Sequence, residues 1–298
     1  SYNFFLRLHR PVLTVYNVHD RFLMPDGSRW VPTHAPMLRH ADVVLCGSQA
    51  LVDELRTQTL KPVHHFPPAV DASIYLKSEM PTPPKRQPGE WPVVGTIGNF
   101  GSQVDWALLL KLARRLPVRL RMVGTLTADI QSNRAVRALQ TLPNVEFVSK
   151  VSQAELPSVI ADLDVCVLPY RLTPYTWGIE PLKFYEFMAM GKPVVASDIP
   201  SLRNRGELIR LAHDPEEWMR AIRELLAHDA PEARQARRRF ASHNTYSHRL
   251  NQLQRIVGNA LQDRDRADVR QRELGRNRPM VAARVEHDRR NDPLDRAD

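Results

Sequence analysis

From Val93 to Ala212 the sequence alternates between short apolar, β-branched runs and amphipathic stretches, a rhythm that few folds accept. The runs VVGTI (93–97), VRLRMV (118–123), NVEFV (144–148), DVCVL (164–168), PVVA (193–196) and LIRLA (208–212) read as strands. Between them, apolar residues recur at helical spacing over 103–115, 132–140, 153–162 and 181–190. Nearly unbroken apolar strands separated by helices predict a parallel sheet covered on both faces. Longer helices are expected at 214–228 and 231–260.

Upstream the pattern is shorter. PVLTVY (11–16) is β-rich and runs into polar Asn17, His19 and Asp20. A strand at 42–46 precedes a helix whose first turn Ser48 can cap, since a serine oxygen accepts from a free first-turn N–H. PVHHF (62–66) supplies a third strand. Residues 74–92 are proline-rich and polar, which marks a linker. A chain of 298 residues can hold two cores. The expected division is 1–73, a linker at 74–92, a second domain at 93–262, and a tail at 263–298. That tail is mostly arginine and acid, too poor in apolar surface to offset chain entropy, so disorder is expected there.

Charge and cysteine usage narrow the function classes. The net charge of +9 is spread thinly, with one cluster at Arg234, Arg237, Arg238 and Arg239 and no aromatic interleaving. That argues against a nucleic-acid platform and suits an anionic substrate or an acidic membrane face. Cys46 and Cys166 both fall in apolar runs and read as buried thiols of a reducing compartment. The opening residues lack a small-residue cleavage site, and no run approaches the ~18 apolar residues of a membrane span. His64, His65, His213, His243 and His248 show no metal-ligand spacing, while His34 and His40 read as helix-surface residues.

Two places carry candidate chemistry. After the first strand of the regular region, Gly95, Gly98 and Gly101 recur at three-residue spacing, so backbone N–H groups can approach an anion at a helix start. The spacing is not that of a dinucleotide fingerprint, and the second strand ends in Gly124-Thr125 rather than an acid for a ribose, which counts against a dehydrogenase. The second place is EPLKFYEFMAMGKPVVASD (180–198). Pro181 suits a helix start, yet Lys183 follows in the first turn, where a cation meets the positive end of the helix dipole. Glu186 lies one turn further on the same face. A ligand bearing a diphosphate and a sugar diol accounts for both: the ammonium meets phosphate oxygens, and the carboxylate accepts from two hydroxyls. The bland alternative is a solvated Lys-then-Glu pair worth a few tenths of a kcal/mol.

The segment EPLKFYEFMAMGKPVVASD closely resembles the donor-site segment of GT-B glycosyltransferases of the group 1, family-4 type. The resemblance extends over about 11–260, through VVGTIGNF, DVCVLPY (164–170), NTYSHRL (244–250), ADVVLCGSQALVDEL and PPAVDASIY. It implies an α/β chain of two Rossmann-like doubly wound domains, the N-terminal one truncated because only three strands precede the linker. It further implies Glu186 on the ribose, Lys183 on the phosphates, Gly98 and Asn99 beside the diphosphate, and Tyr170 and Leu182 near the base or sugar. Metal and other cofactors are not expected. The family often places two acids eight positions apart; here that position is Gly178, and Glu180, the nearest acid, is expected among the donor-binding residues in its stead. Asn-Gly before Val-Asp is replaced by Pro68-Ala69, and no Arg–Lys pair follows Gly98.

On this basis the expected activity is transfer of a sugar from a nucleotide-sugar donor to a glycan or lipid-linked acceptor in polysaccharide biosynthesis. His19 and Asp20, at the end of the first strand, are candidates for acceptor activation or sugar orientation, against a plainer turn-and-cap role. A cytoplasmic location is expected, with peripheral contact at the inner face of the membrane. A donor-binding remnant without turnover and a GT-B-like sugar-nucleotide epimerase are the alternatives.

Overall fold

The computed structural model describes residues 11–23, 30–77 and 80–276. Two parallel sheets organise the chain. The first is built by β1 (Val15–Val18), β2 (Val43–Cys46) and β3 (Val63–His65), in the order β1-β2-β3, with α1 (His34–His40) and α2 (Gln49–Arg56) in the connections. The first strand starts later than its apolar run suggests. Thr14 is instead occupied at the sheet's entrance, its N–H donating to Asp42 Oδ2 at 2.7 Å. Ser48 caps α2 as expected, its Oγ accepting from Leu51 N at 3.3 Å. His34 departs from the sequence reading: it is buried, stacked on Trp30 at 3.9 Å between ring centroids, and joined to the Tyr16 hydroxyl at 3.1 Å.

A single-turn helix, α3 (Ala72–Tyr75), opens the passage to the second sheet and takes the first two residues of the expected linker. The rest of the described linker is strapped down rather than free. Arg86 Nε pairs with Asp164 Oδ2 at 2.9 Å, and the same Oδ2 accepts from Val93 N at 2.6 Å, pinning the linker beside the first strand of the second sheet.

That sheet follows the predicted alternation. β4 (Val93–Phe100), α4 (Trp106–Arg115), β5 (Arg119–Leu126), α5 (Arg134–Gln140), β6 (Val145–Val148), α6 (Leu156–Ala161) and β7 (Val165–Leu168) come first. They are followed by the short α7 (Pro174–Trp177), then α8 (Leu182–Ala189), β8 (Val194–Ser197), β9 (Arg210–Ala212) and α9 (Pro215–Ala227). The spatial order is β6-β5-β4-β7-β8-β9, all parallel, so the chain grows outward from β4 in one direction and then resumes on its other side. One face is packed by Trp106, Leu109, Leu112, Trp218 and Ile222, the other by Ile160, Phe184, Tyr185, Phe187 and Met188. Two buried faces explain why the strands read as solid apolar runs. Asp105 and Asp214 cap α4 and α9, accepting first-turn N–H groups at 2.9 Å.

The reversal between β4 and β7 positions the site. β7 pairs with β4 only at Val94 and Gly95, while β5 follows β4 as far as Phe100. The C-terminal half of β4 therefore parts from β7, opening a crevice where α/β sheets hold their ligands.

Two expectations at the C-terminal end are corrected. The helix expected at 231–260 is two helices, α10 (Pro231–Ser242) and α11 (Tyr246–Arg276). The chain breaks at His243–Thr245 because this stretch pairs with the crossover: Val70 N donates to Asn244 O at 3.0 Å and Tyr246 N to Val70 O at 3.1 Å. The tail expected to be disordered from residue 263 is helical through Arg276; residues 277–298 lie outside the described residues. Its base is anchored on the first sheet by Gln252 Nε2 to His65 O and Arg249 Nε to Pro67 O, both at 2.8 Å. Extending an anchored helix adds one hydrogen bond per residue without a new nucleus, so polar residues suffice.

Candidate functional site

The glycine at the end of β4 and the lysine at the start of α8 meet across the crevice. Gly98 has φ +115°, a conformation L side chains rarely adopt, and it pairs with Gly124 of β5 at φ +144°. A Cβ on Gly98 would collide with the Lys183 side chain and stand 2.8 Å from its Nζ. The missing side chain is therefore what lets Lys183 lie over the strand end. No acceptor binds that Nζ among the described residues; its nearest aromatic neighbour is Phe100, with the ring centroid 5.8 Å away. Burial pulls the ammonium down to about 8, against the attraction of Glu186.

Glu186 shares this face one turn on and is buried, at 7% exposure. Lys183 and Glu186 form no ion pair among the described residues, so the solvated-pair alternative does not describe them. Instead, Glu186 Oε1 accepts from the Tyr75 hydroxyl of α3 at 2.9 Å. Burial raises the Glu186 carboxyl above its ordinary range, while Tyr75 and Lys183 both act to lower it. Together with Ile97, Asn99, Val123, Lys150, Tyr170 and Leu182, Lys183 and Glu186 line a cavity of about 290 Å³. Such a volume lies at the small end of ligand sites, about 300–1,000 Å³. An ammonium, a helix start and a bent glycine strand end at one wall suit an anion. The carboxylate deeper on the same helix suits hydroxyls.

The structure thus brings Gly98, Asn99, Tyr170, Leu182, Lys183 and Glu186 to one cavity. It does not bring Glu180 there. Glu180 Oε1 accepts from the Tyr185 hydroxyl at 2.8 Å and lies 3.8 Å from Arg205, and burial pushes its carboxyl up to about 7. It precedes the helix, and its side chain is buried against Tyr185 and Arg205. Gly178, eight positions before Glu186, is no substitute. A Cβ there would stand 3.1 Å from Arg21 Cβ and 3.2 Å from Leu51 Cδ2, and its carbonyl accepts from Ser48 Oγ at 2.7 Å. The first sheet's elements close over the position where the resemblance implies a first carboxylate.

His19 and Asp20 stand at the end of β1, with His19 Nε2 3.7 Å from Asp20 Oδ2. His19 is exposed, its ring edge-on to Phe22 at 5.1 Å. Asp20 is more enclosed. Burial raises its carboxyl, and its charge in turn helps raise the hydroxyls of Tyr170 and Tyr175 on the opposite side of the cleft. Sequence reading missed Tyr75 and Lys150. No local signal marks either; Tyr75 ends the PPAVDASIY stretch, but its partner lies 111 residues away.

A doubly wound six-stranded sheet with a cavity at its reversal point, facing a second parallel α/β unit across a cleft, is the GT-B type of α/β fold. Residues 92–228 match the family model Glycosyl transferases group 1, in keeping with the resemblance read from the sequence. Over 172 residues the chain is 28% identical to a Bacillus subtilis (strain 168) protein that carries the name teichuronic acid biosynthesis glycosyltransferase TuaH, matching 55% of this chain and 42% of that protein. The chain therefore spans well under half the length of this curated relative. Sucrose-phosphate synthase from Thermosynechococcus elongatus superposes with a TM-score of 0.67 at 20% identity, covering 86% of this chain and 71% of that one. HepE from Anabaena, solved in complex with UDP, superposes with a TM-score of 0.65 at 17% identity, covering 87% and 75%. Among the described residues no helix is long and apolar enough to cross a membrane.

Proposed function

We propose that this chain transfers a sugar from a nucleoside-diphosphate sugar to a glycan or lipid-linked acceptor, without a metal or other cofactor. The observation that carries the reading is the Lys183 ammonium lying over Gly98, without an acceptor among the described residues, with Glu186 held one helical turn away. In this reading Lys183, the Gly98 and Asn99 backbone and the start of α8 face the diphosphate. Glu186 takes the ribose diol, and Tyr170 and Leu182 flank the base or sugar. As the bond from the anomeric carbon to the diphosphate breaks, negative charge grows on the leaving oxygens. Donors fixed in advance at that point need no reorganisation, which is usually the largest catalytic contribution. The acceptor hydroxyl forms the new bond to the anomeric carbon, and its proton leaves toward Asp20, with His19 beside it.

The likeness to HepE, which was solved with UDP and with UDP and glucose, supports a nucleotide-sugar donor. The likeness to a protein named for teichuronic acid biosynthesis supports a polysaccharide acceptor. Under the same reading the diffuse positive charge draws the chain to the inner face of a membrane that carries lipid-linked acceptors. The division at 1–73, 74–92 and 93–262 then separates an acceptor-side unit, a linker and a donor-side unit.

The test is calorimetry of the full chain with UDP, GDP and their sugars, followed by the same titrations on Glu186→Ala. Binding of one nucleotide that weakens at least tenfold in the variant is the expected outcome. A wild-type chain that binds none of them, or a variant that binds equally well, removes the basis of the reading.

A further inference from the structure

Tyr75 belongs to neither sheet. It ends α3, on the single passage that carries the chain from the first sheet to the second, yet its hydroxyl reaches the face of α8 that lines the cavity. The passage is held on both sides. Asp71 caps α3 by accepting from Ser73 N at 2.8 Å, Val70 is hydrogen-bonded to Asn244 and Tyr246, and Leu76 O accepts from Arg238 at 3.4 Å. With its ring buried at 2% exposure, Tyr75 has little freedom to move its oxygen.

We infer that Tyr75 is a positioning residue that fixes the Glu186 carboxylate for the sugar diol of the donor, an assignment that rests on the nucleotide-sugar reading above. The geometry gives it this work. A tyrosine hydroxyl has one proton to donate, and here it goes to Oε1 at 2.9 Å. That bond sets the rotation of the carboxylate about its last torsion, which is otherwise broad. Among the described residues Oε2 and the second lone pair of Oε1 take no other hydrogen bond, which leaves them for two hydroxyls. A charge-assisted bond also favours the ionised form, the form able to accept from both. Where this passage meets α8, a phenylalanine would fill the same space and leave the carboxylate unguided. The hydroxyl therefore serves the carboxylate and not the packing.

A double-mutant cycle on the full chain separates this role from a structural one. Tyr75→Phe keeps the ring and is expected to weaken binding of UDP, or of GDP if that is the nucleotide bound, by roughly tenfold or more, the scale of a lost hydrogen bond to a charged group. KM for the nucleotide-sugar should rise with it, and kcat should change far less. Preference for UDP over 2′-deoxy-UDP should shrink in Tyr75→Phe, because a loose carboxylate no longer rewards the second hydroxyl. In a Glu186→Ala background the Tyr75→Phe change should cost nothing further. This second arm holds even if the single variant is less stable, since both chains of that arm carry the same missing carboxylate. Unchanged affinity and unchanged 2′-hydroxyl preference in Tyr75→Phe would overturn the inference while leaving the donor reading intact. So would an equal loss from Tyr75→Phe with and without Glu186. A wild-type chain that binds no nucleotide would overturn both.

Discussion

Two glycines stand near the C-terminal ends of strands in the two sheets and do opposite things. Gly47 follows β2 and leads into α2; Gly98 lies in the last stretch of β4, two residues before its end at Phe100. At Gly47 the space a side chain would take is filled by the His19 backbone, whose carbonyl oxygen would stand 2.7 Å from a Cβ there, so β1 and β2 close tightly at this turn. At Gly98 the same space is filled by the tip of a lysine, and the strand beside it has parted from β7. The first sheet's glycine serves packing; the second's lets a lysine side chain lie against the strand. What decides between them is the neighbour. Backbone is fixed and neutral, whereas an ammonium on a flexible stem presents charge to an incoming anion.

That contrast breaks most sharply at Lys183. Lys183→Ala should lower turnover by roughly 10²–10³-fold, about 2.7–4 kcal/mol, the scale seen when one preorganised donor to a developing negative charge is removed. Initial-rate assays with the nucleotide-sugar that binds would measure it, and the melting temperature should hardly move. Gly47→Ala should do the reverse. It forces a Cβ against the His19 backbone and should cost about 1–3 kcal/mol of stability, read by urea denaturation, with nucleotide affinity kept. If Gly47→Ala instead abolished nucleotide binding, the two glycines would not be doing different work.

The acidity of Lys183 sharpens the same comparison. Its folded-state value, lowered to about 8, means that it loses its proton within an accessible range. A diphosphate prefers the ammonium form, so affinity should be flat below pH 8 and then fall by up to about tenfold per pH unit above it. Calorimetry across pH 7 to about 9.5 would show it, and the slope should vanish in Lys183→Ala. The sign for folding is separate: a lysine depressed in the folded state binds fewer protons there than when unfolded. Its contribution to stability therefore rises as pH climbs from about 8 toward the ordinary lysine range.

The smallest effect is expected where the two regions touch. Ser48 Oγ both caps α2 and donates to Gly178 O. Ser48→Ala should cost about 1 kcal/mol, a shift of a few degrees in melting temperature, and change nucleotide affinity less than about twofold. A large affinity loss would mean that closure of the first sheet over Gly178 shapes the donor cavity.

What the sequence by itself determined was everything carried by short-range pattern. The strand and helix alternation, the cap at Ser48, and the shared face of Lys183 and Glu186 all depend on residues within a turn or two of each other. Periodicity encodes such relations directly. Only the tertiary structure decided which partner each polar group took. Glu180 turned to Tyr185 and Arg205 instead of the cavity, His34 went under Trp30 instead of facing solvent, and the helix near residue 244 broke to pair with Val70. The charged stretch after residue 263 became helix because its base had an anchor on the first sheet. For Glu180 and the backbone near residue 244, a buried polar or backbone group was satisfied by whatever packing brought within reach. A partner 111 residues away, as Tyr75 is to Glu186, leaves no trace in local spacing.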